Sequence, residues 1–335
     1  MIKLQTPVTD VKCRVPVSYR DRILMLGSCF TDNVGQKLAD YGFDVCINPF
    51  GTLYNPASIS RSVERLASGT HFTEEECVWM GSGADKVCSF WHHTSFARNG
   101  MAEFLENADR RLDEASAFFR TCNKVIVTLG TAWCFRYIGA DPADCRKNQE
   151  AGTSPFLPSE KYTGQIVSNC LKRNAREFSR EMLSVEAASG LLENIVRLCS
   201  GQDGDGFRKK DIIFTVSPIR HLADGAHGNQ LSKSTLLLSV DSTIRNTETG
   251  TISHPEQHPA QERTVPVADY FPAYEIMMDE LRDYRFYAED MVHPSQQAVD
   301  YIAERFLDRA LPASERIILE ENIRRYRQSR HHDRG

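Results

Sequence analysis

The chain has 335 residues, with 40 basic side chains against 45 acidic ones and a formal net charge of −5. This balance offers no basic surface for nucleic acid, and a hydrophobic content of 41% excludes an intrinsically disordered chain. No apolar run approaches the roughly 18 residues of a membrane span, and the first residues lack the order of a signal peptide. We therefore expect a folded protein with no membrane span and no nucleic-acid partner.

The ten cysteines show neither a CxxC pair nor the spacing of a disulfide framework. Reduced thiols are typical of the cytoplasm, and a structural zinc site needs grouped ligands that this spacing does not offer. We therefore predict a cytoplasmic protein that holds no metal and no cofactor.

The predicted elements alternate along the chain between short apolar strands and amphipathic helices. Strands are predicted at residues 23–26, 43–47, 125–129 and 212–216, and helices after Thr31 or Asp32, at 57–66, 101–119, 183–198 and 229–240, and from Ser295. This alternation is typical of a mostly parallel sheet that is covered by helices on both faces. The sequence therefore predicts an α/β fold.

Two segments interrupt the alternation. Residues 68–100 are rich in glycine, serine and aromatic residues, and residues 139–165 combine proline, glycine and charges without a period. Loops of this length are usually functional or mobile, so the first segment is interpreted as an inserted loop or lid. We predict a single domain over residues 1–312 with these two insertions, followed by a basic helical tail at 313–335 whose charges face solvent.

Small, polar or charged residues follow each of the four predicted strands. They are Gly27-Ser28, Asn48-Pro49-Phe50-Gly51, Gly130-Thr131-Ala132-Trp133 and Ser217-Pro218-Ile219-Arg220-His221. Ligands of open parallel sheets bind outside the carboxyl ends of the strands. We therefore expect a functional site along this edge.

Ser28 is the candidate nucleophile at this edge. A serine on a strand-to-helix turn exposes its hydroxyl, and its N–H joins the free donors of the helix N-terminus. Those donors can stabilise an oxyanion, although the same pattern also describes a simple helix cap. Cys29 is the alternative nucleophile, but free cysteine is among the most buried residue types, so we favour Ser28.

Asp290 and His293 form a second signal, just before the last amphipathic helix. On a turn, a DxxH spacing lets the carboxylate fix the imidazole tautomer, and the imidazole can then accept a proton from a serine. Alone, the pair could equally be a surface ion pair or half of a metal site.

Taken together, these motifs resemble the GSCFA-domain family of bacteria, within the SGNH/GDSL hydrolase superfamily. The likeness rests on Gly27-Ser28-Cys29-Phe30, Asn48-Pro49-Phe50-Gly51-Thr52-Leu53-Tyr54-Asn55-Pro56, Phe90-Trp91-His92-His93, Thr128-Leu129-Gly130-Thr131-Ala132-Trp133, Ser217-Pro218-Ile219-Arg220-His221, Tyr270-Phe271-Pro272-Ala273-Tyr274-Glu275 and Tyr287-Ala288-Glu289-Asp290-Met291-Val292-His293-Pro294. It covers most of the chain. Thr31 departs from the alanine of the family motif.

The resemblance implies a flavodoxin-like three-layer α/β/α fold and a serine esterase mechanism. Ser28 would be the nucleophile, His293 the general base and Asp290 the carboxylate that orients it. The wider superfamily adds a glycine and an asparagine as oxyanion donors, and Gly51 matches the glycine. Ala132 stands at the asparagine position, so a third donor must come from elsewhere.

Several side chains are candidates for that donor or for substrate binding. Asn48 is the first choice for the donor because it carries an amide and ends a neighbouring strand; Thr131, His92 and His93 are the alternatives. We expect His92, His93, Arg220 and His221 to contact substrate. The histidines could instead be structural, and Arg220 could either grip a carboxylate or phosphate or form a buried ion pair.

The function expected from these features is hydrolysis of an acyl ester, carried by a small molecule or a glycan, through a Ser-Asp-His triad. Two alternatives remain open. The same serine could serve an acyltransferase, which differs only in the acceptor that attacks the acyl-enzyme. The chain could also be an inactive binding module on a hydrolase scaffold, since fold does not imply function.

Overall fold

The computed structural model describes residues 6–9, 13–81, 86–139, 160–200, 208–252 and 266–332. Its strands are β1 Arg22–Gly27, β2 Asp44–Ile47, β3 Val78–Trp79, β4 Val87–Cys88, β5 Lys124–Leu129, β6 Trp133–Tyr137, β7 Ile166–Val167, β8 Phe178–Met182, β9 Asp211–Val216 and β10 Ala268–Phe271. Its longer helices are α1 Cys29–Asp40, α2 Pro56–Ser68, α3 Met101–Thr121, α4 Val185–Cys199, α5 Gly225–Glu248, α6 Gln296–Ala310 and α7 Arg316–His332.

The central sheet is parallel throughout and has the strand order β10-β9-β5-β1-β2. Counted along these five strands, this is the 2-1-3-4-5 order of flavodoxin-like folds, in which ligands bind where the strand order reverses. Here that point lies between the carboxyl ends of β1 and β5. The predicted three-layer α/β fold is therefore confirmed, with β10 as a strand that the sequence did not reveal.

The two faces of the sheet carry separate cores. Leu24 and Leu26 of β1 belong to the core that α2, α3, α4 and α5 cover, whereas Ile23 and Met25 belong to the core under α1 and α6. Alternate residues of a strand point to opposite faces, so an unbroken apolar run is what a doubly covered strand requires.

The described parts of the first insertion, residues 68–81 and 86–100, pack onto the body of the protein. They include the antiparallel pair β3–β4 and contribute Phe72, Val78, Phe90 and Phe96 to the first core. Of the second predicted insertion, residues 140–159 lie outside the described part of the chain. The residues around it form a second small sheet, with β6 between β7 and β8.

The carboxyl-terminal helix α7 contacts the body of the protein. Leu319, Ile323 and Tyr326 pack against the second core, and the Asn322 amide donates to the carbonyl oxygen of Tyr41 at 2.9 Å. The helix therefore uses one face for docking while its remaining charged residues face solvent. Among the residues with coordinates, no helix combines the length and apolarity needed to cross a bilayer.

Candidate active site

Ser28 lies at the reversal point of the sheet, directly after β1. It caps α1, and its hydroxyl accepts a hydrogen bond from the Phe30 N–H at 3.4 Å. The preceding Gly27 has φ +147°, and a Cβ there would lie 2.2 Å from the Thr128 carbonyl oxygen. Only glycine allows this close approach of β1 and β5, and this explains why a glycine precedes the serine.

Asp290 and His293 form the pair that their spacing predicts. The His293 Nδ1 lies 2.6 Å from Asp290 Oδ2, and Asp290 Oδ1 accepts from the backbone N–H groups of Val292 and His293, both at 2.9 Å. These bonds, led by that from the His293 N–H, lower the pKa of Asp290 to about 2. With Nδ1 held by the carboxylate, Nε2 is the ring nitrogen left for chemistry.

The loop that carries the pair is anchored at both ends. Tyr287 and Pro294 form an isolated β-bridge, and the Ala288 N–H donates to the His293 carbonyl oxygen at 2.7 Å. From the end of β9, Arg220 donates its backbone N–H to the Val292 oxygen (3.1 Å) and a guanidinium N–H to the Met291 oxygen (3.2 Å). Arg220 therefore ties the loop to the sheet edge.

Ser28 and the Asp290–His293 pair occupy the same edge. Burial raises the pKa of Cys29, the first residue of α1, and the Asp290 charge adds a small further rise; burial lowers the pKa of His221, which follows β9, and the His293 charge adds a small further drop. Within the described residues, no hydrogen bond joins the Ser28 hydroxyl to the His293 ring. Ser28 and the Asp290–His293 pair therefore share an edge of the sheet without a hydrogen bond between these described residues; in enzymes such bonds often form only when substrate binds.

Cys29 is a poor nucleophile in this setting. Burial raises the pKa of its thiol, and the negative charge of Asp32 raises it further. Because the thiolate is the reactive form, these surroundings favour the neutral thiol and support the choice of Ser28.

Asn48 and Gly51 form the turn that faces Gly27 and α1. Asn48 has φ +42°, and its Oδ1 accepts from the Gly27 N–H at 2.8 Å while its Nδ2 donates to Asp32 at 2.6 Å. The Gly51 N–H donates to the Asn48 carbonyl oxygen at 2.8 Å, whereas the Ser28 N–H makes a longer bond of 3.4 Å to Thr128. The Asn48 amide thus lies beside the turn at Gly27 and Ser28, and both its oxygen and its nitrogen already have hydrogen-bond partners.

Asp32 is a residue of this site that the sequence suggested only as a helix cap. Burial raises the pKa of its carboxyl, opposed by the Asn48 hydrogen bond and by the charge of His93. An aspartate in the first turn of the helix after Ser28 was the available signal, but its contact with Asn48 spans 16 positions and could not be inferred from spacing.

The loop after β5 is bound to α5. The Thr131 hydroxyl lies 3.0 Å from the Ser232 hydroxyl and accepts from the Trp133 N–H at 3.1 Å, and Ala132 donates its N–H to Ser232 at 2.8 Å. Thr131 therefore has partners on the α5 side, and its role as an oxyanion donor stays a prediction.

The two adjacent histidines have different environments. His92 is fully buried among Phe50, Phe72 and Phe96, and burial lowers its pKa to about 3. His93 is half-buried and backs onto Gly51, where an added Cβ would lie 2.3 Å from the Cβ of His93. His92 is thus placed as a core histidine, and His93 is the one that lies at the site.

Arg220 and His221 both lie at the site edge. In the described part of the chain, Arg220 has no carboxylate partner; it lies over the Tyr287 ring at 5.5 Å. The His221 ring is 6.3 Å from that of Tyr54. Burial, reinforced by the charges of Lys233, Arg180 and His293, lowers the pKa of His221 to about 4. These surroundings favour the neutral imidazole of His221.

Lys233 of α5 is a second residue that sequence reasoning missed. It is fully buried, and its ammonium donates to the carbonyl oxygens of Gly130 at 2.6 Å and Ser217 at 2.7 Å. These carbonyls follow β5 and β9, so one side chain joins two strand ends at the site edge. Burial lowers its pKa to about 7.

The described residues contain no group of three or more histidine, cysteine, aspartate or glutamate side chains that could hold a metal ion. Nine cysteines, all those with described surroundings, are free thiols.

Comparison with known protein families gives one match. The model of the GSCFA family matches residues 22–306, a span that starts at β1 and runs into α6. It therefore includes Ser28, the Asn48 turn and the Asp290–His293 loop. Comparisons with curated proteins and with solved structures found no match.

Proposed function

The chain belongs to the GSCFA family, and on that premise we propose that it is a serine hydrolase of the SGNH type that cleaves an acyl ester in the cytoplasm. The observation that carries the proposal is the Asp290–His293 pair, oriented by three hydrogen bonds, on the sheet edge where Ser28 ends β1. The ester would belong to a small molecule or a glycan.

In the proposed reaction, His293 Nε2 takes the proton of the Ser28 hydroxyl while the serine oxygen attacks the ester carbonyl carbon. The tetrahedral intermediate collapses, the C–O bond to the alcohol breaks, and the alcohol leaves with the proton held by His293. Water, deprotonated by His293, then attacks the acyl carbon of the acyl-enzyme. The bond between that carbon and the Ser28 oxygen breaks, His293 returns the proton to the serine oxygen, and the carboxylic acid is released. Asp290 stays ionised and stabilises the imidazolium in both steps.

The oxyanion would be held by donors that surround the nucleophile turn. The Ser28 N–H is the most available one, because its present bond to Thr128 is long at 3.4 Å. The Gly51 N–H and the Asn48 amide would exchange the Asn48 carbonyl and Asp32 for the oxyanion. For Gly51 this exchange is favourable, because an oxyanion carries a full charge and forms stronger hydrogen bonds than the neutral carbonyl oxygen of Asn48. For Asn48 it requires the amide to leave a carboxylate, Asp32.

The proposal is tested by turnover of short-chain aryl acetates. Wild-type protein should release acetate in water, and Ser28→Ala should abolish release. Cys29→Ala is the matched control, since it changes the adjacent side chain and should retain activity. Acetyl transfer only to an added alcohol or sugar would identify an acyltransferase instead. No turnover of any ester by the wild type would favour a binding module.

A further inference from the structure

A cavity of about 410 Å³ lies beside the Asp290–His293 loop. Apolar and aromatic side chains make up most of its exposed wall: Leu222, Tyr274, Met277, Met278, Tyr284 and Tyr287. Polar and charged side chains line the remainder: Arg220, Asn229, Gln230, Asp279, Arg282 and Asp283. Small-molecule sites usually have volumes of about 300–1,000 Å³ and this kind of lining. The cavity therefore has the size and surface of a binding site for an apolar group.

One wall of the cavity contains an unusual helical turn. Residues Ile276–Glu280 form a π-helix, closed by the hydrogen bond from the Leu281 N–H to the Ile276 oxygen at 3.0 Å. Single π turns occur frequently at functional sites. This turn supplies two consecutive methionines, Met277 and Met278, whose flexible side chains adapt to irregular apolar ligands.

Two of the three tyrosines in the wall have hydroxyls with partners in the protein. The Tyr274 hydroxyl donates to Gln230 at 2.7 Å, and the Tyr287 hydroxyl contacts the Met278 sulfur at 4.0 Å. What these two residues add to the cavity is therefore mainly ring surface, which an apolar group can contact.

The cavity shares its boundary with the loop of the candidate base. Arg220 lines it and also donates to the Met291 carbonyl oxygen. Tyr287 lines it too, and pairs with Pro294, the residue after His293. A group held in the cavity therefore lies next to the loop that carries His293.

We propose that this cavity binds the acyl chain of the ester, and that the chain is a linear alkyl group of medium length. The proposal rests on the proposed function, since the cavity selects the substrate of that same site. A water-sized group occupies about 30 Å³ in a liquid, and a methylene group is of similar size, so the cavity of about 410 Å³ has room for about fourteen such groups. An acyl chain of about eight to ten carbons therefore fits inside it.

The first test is a series of aryl esters from acetate to decanoate. Each methylene buried in the cavity is worth about 0.8 kcal/mol, or about fourfold in kcat/KM at most. We expect kcat/KM to rise with chain length throughout this series, because the cavity has room for the whole decanoyl chain. A flat series, or a benzoate ester preferred over the octanoate ester, would overturn the assignment while leaving the hydrolase proposal intact.

Leu222→Asp tests the wall directly. Leu222 is 41% exposed, so the substitution adds a charge to the cavity with little change in the core. It should lower the octanoate-to-acetate ratio of kcat/KM by at least tenfold. Leu238→Asp is the control, because Leu238 is 56% exposed on α5 and does not line the cavity. An equal effect of both variants would contradict the assignment.

Binding of octanoate to Ser28→Ala separates the two proposals. Suppose that octanoate binds by calorimetry, that Leu222→Asp weakens this binding, and that the wild type turns over no ester. This result would support the cavity as a binding site for alkyl chains and reject the hydrolase proposal. If the wild type turns over esters but Ser28→Ala does not bind octanoate, the hydrolase proposal would be supported and the assignment of the cavity rejected.

Discussion

The two halves of the candidate site differ in how they are held. Ser28 is 1% exposed and is fixed by the approach of β1 and β5, with a glycine that no other residue can replace without strain. Asp290 and His293 have side chains that are 50% and 48% exposed, and their order comes from a short loop and Arg220. The candidate nucleophile is thus positioned by the whole fold, whereas the proposed base is positioned locally.

This contrast predicts opposite consequences of mutation. Changes in the histidine loop should lower the rate and leave the fold intact, because few buried contacts depend on that loop. Changes in the serine turn should lower stability first, because the turn joins two central strands.

Asp290→Asn should show the largest loss of rate. An amide can present the wrong hydrogen-bond partner to the ring, which in serine hydrolases costs as much as about 10,000-fold in kcat. Because Asp290 is half exposed, urea unfolding should be nearly unchanged. Asp308→Asn, which alters another half-exposed carboxylate paired with Arg316, is the control and should retain the rate. A loss below tenfold in kcat for Asp290→Asn would assign the pair a structural role.

Gly27→Ala should show the reverse pattern, a large loss of stability. The added Cβ would lie 2.2 Å from the Thr128 oxygen at a φ of +147°, so β1 and β5 must separate, at a cost of about 4 kcal/mol or more. Gly190→Ala in α4 is the matched control. A Cβ there meets nothing within 4 Å, and alanine should stabilise the helix by up to about 1 kcal/mol. Similar unfolding midpoints for both variants would remove the contrast between the two regions.

Arg220→Met should have a moderate effect on rate. The substitution removes the hydrogen bond from the guanidinium to the Met291 carbonyl oxygen, while the backbone hydrogen bond to Val292 remains. The loop therefore loses one of its two hydrogen bonds to the segment that follows β9. We expect kcat to fall about tenfold, since small displacements of a catalytic group can cost up to about 100-fold. Arg245→Met on α5, with a side chain 71% exposed, should leave kcat unchanged. If kcat of Arg220→Met is also unchanged, the loop keeps its geometry without the Arg220 side chain.

Lys233→Met should change the pH dependence of stability, the smallest of these effects near neutral pH. The folded pKa of Lys233 is lowered to about 7, below its unfolded value, so above pH 7 the unfolded state binds the extra proton. Wild-type stability should therefore rise relative to Lys233→Met between about pH 7 and pH 10, and the difference should be constant below pH 6. Urea unfolding of both proteins at pH 6, 8 and 10 measures this. A difference independent of pH would mean that Lys233 stays charged in the fold.

The sequence predicted those parts of the fold that depend on local patterns. The four apolar strands and the helices between them follow from periodicity, and Ser295 does cap α6. β10 was missed because it is short and contains Asp269. That carboxylate accepts from the Arg14 N–H and pairs with Arg309, so its burial depends on partners that are distant in sequence.

The same distinction holds at the site. Ser28 could be predicted because the strand before it and the helix after it are adjacent in sequence. The Asp290–His293 pair could be predicted because its two members are three residues apart. Lys233 stands among Ser232, Ser234 and Thr235, a polar run that periodicity assigns to solvent. Only the tertiary structure reveals that Lys233 meets the Gly130 and Ser217 carbonyls, and that Asp32 meets Asn48.

The central claim, that Ser28 is a nucleophile activated by His293, is tested most directly by covalent labelling. Wild-type protein is treated with a fluorophosphonate probe, and the adduct is measured by intact mass and located by peptide mapping. The account predicts one adduct, on Ser28, which is absent from Ser28→Ala, much slower to form in Asp290→Asn and retained in Cys29→Ala. An adduct that persists in Ser28→Ala and disappears in Cys29→Ala, or no adduct on folded wild-type protein, would contradict it.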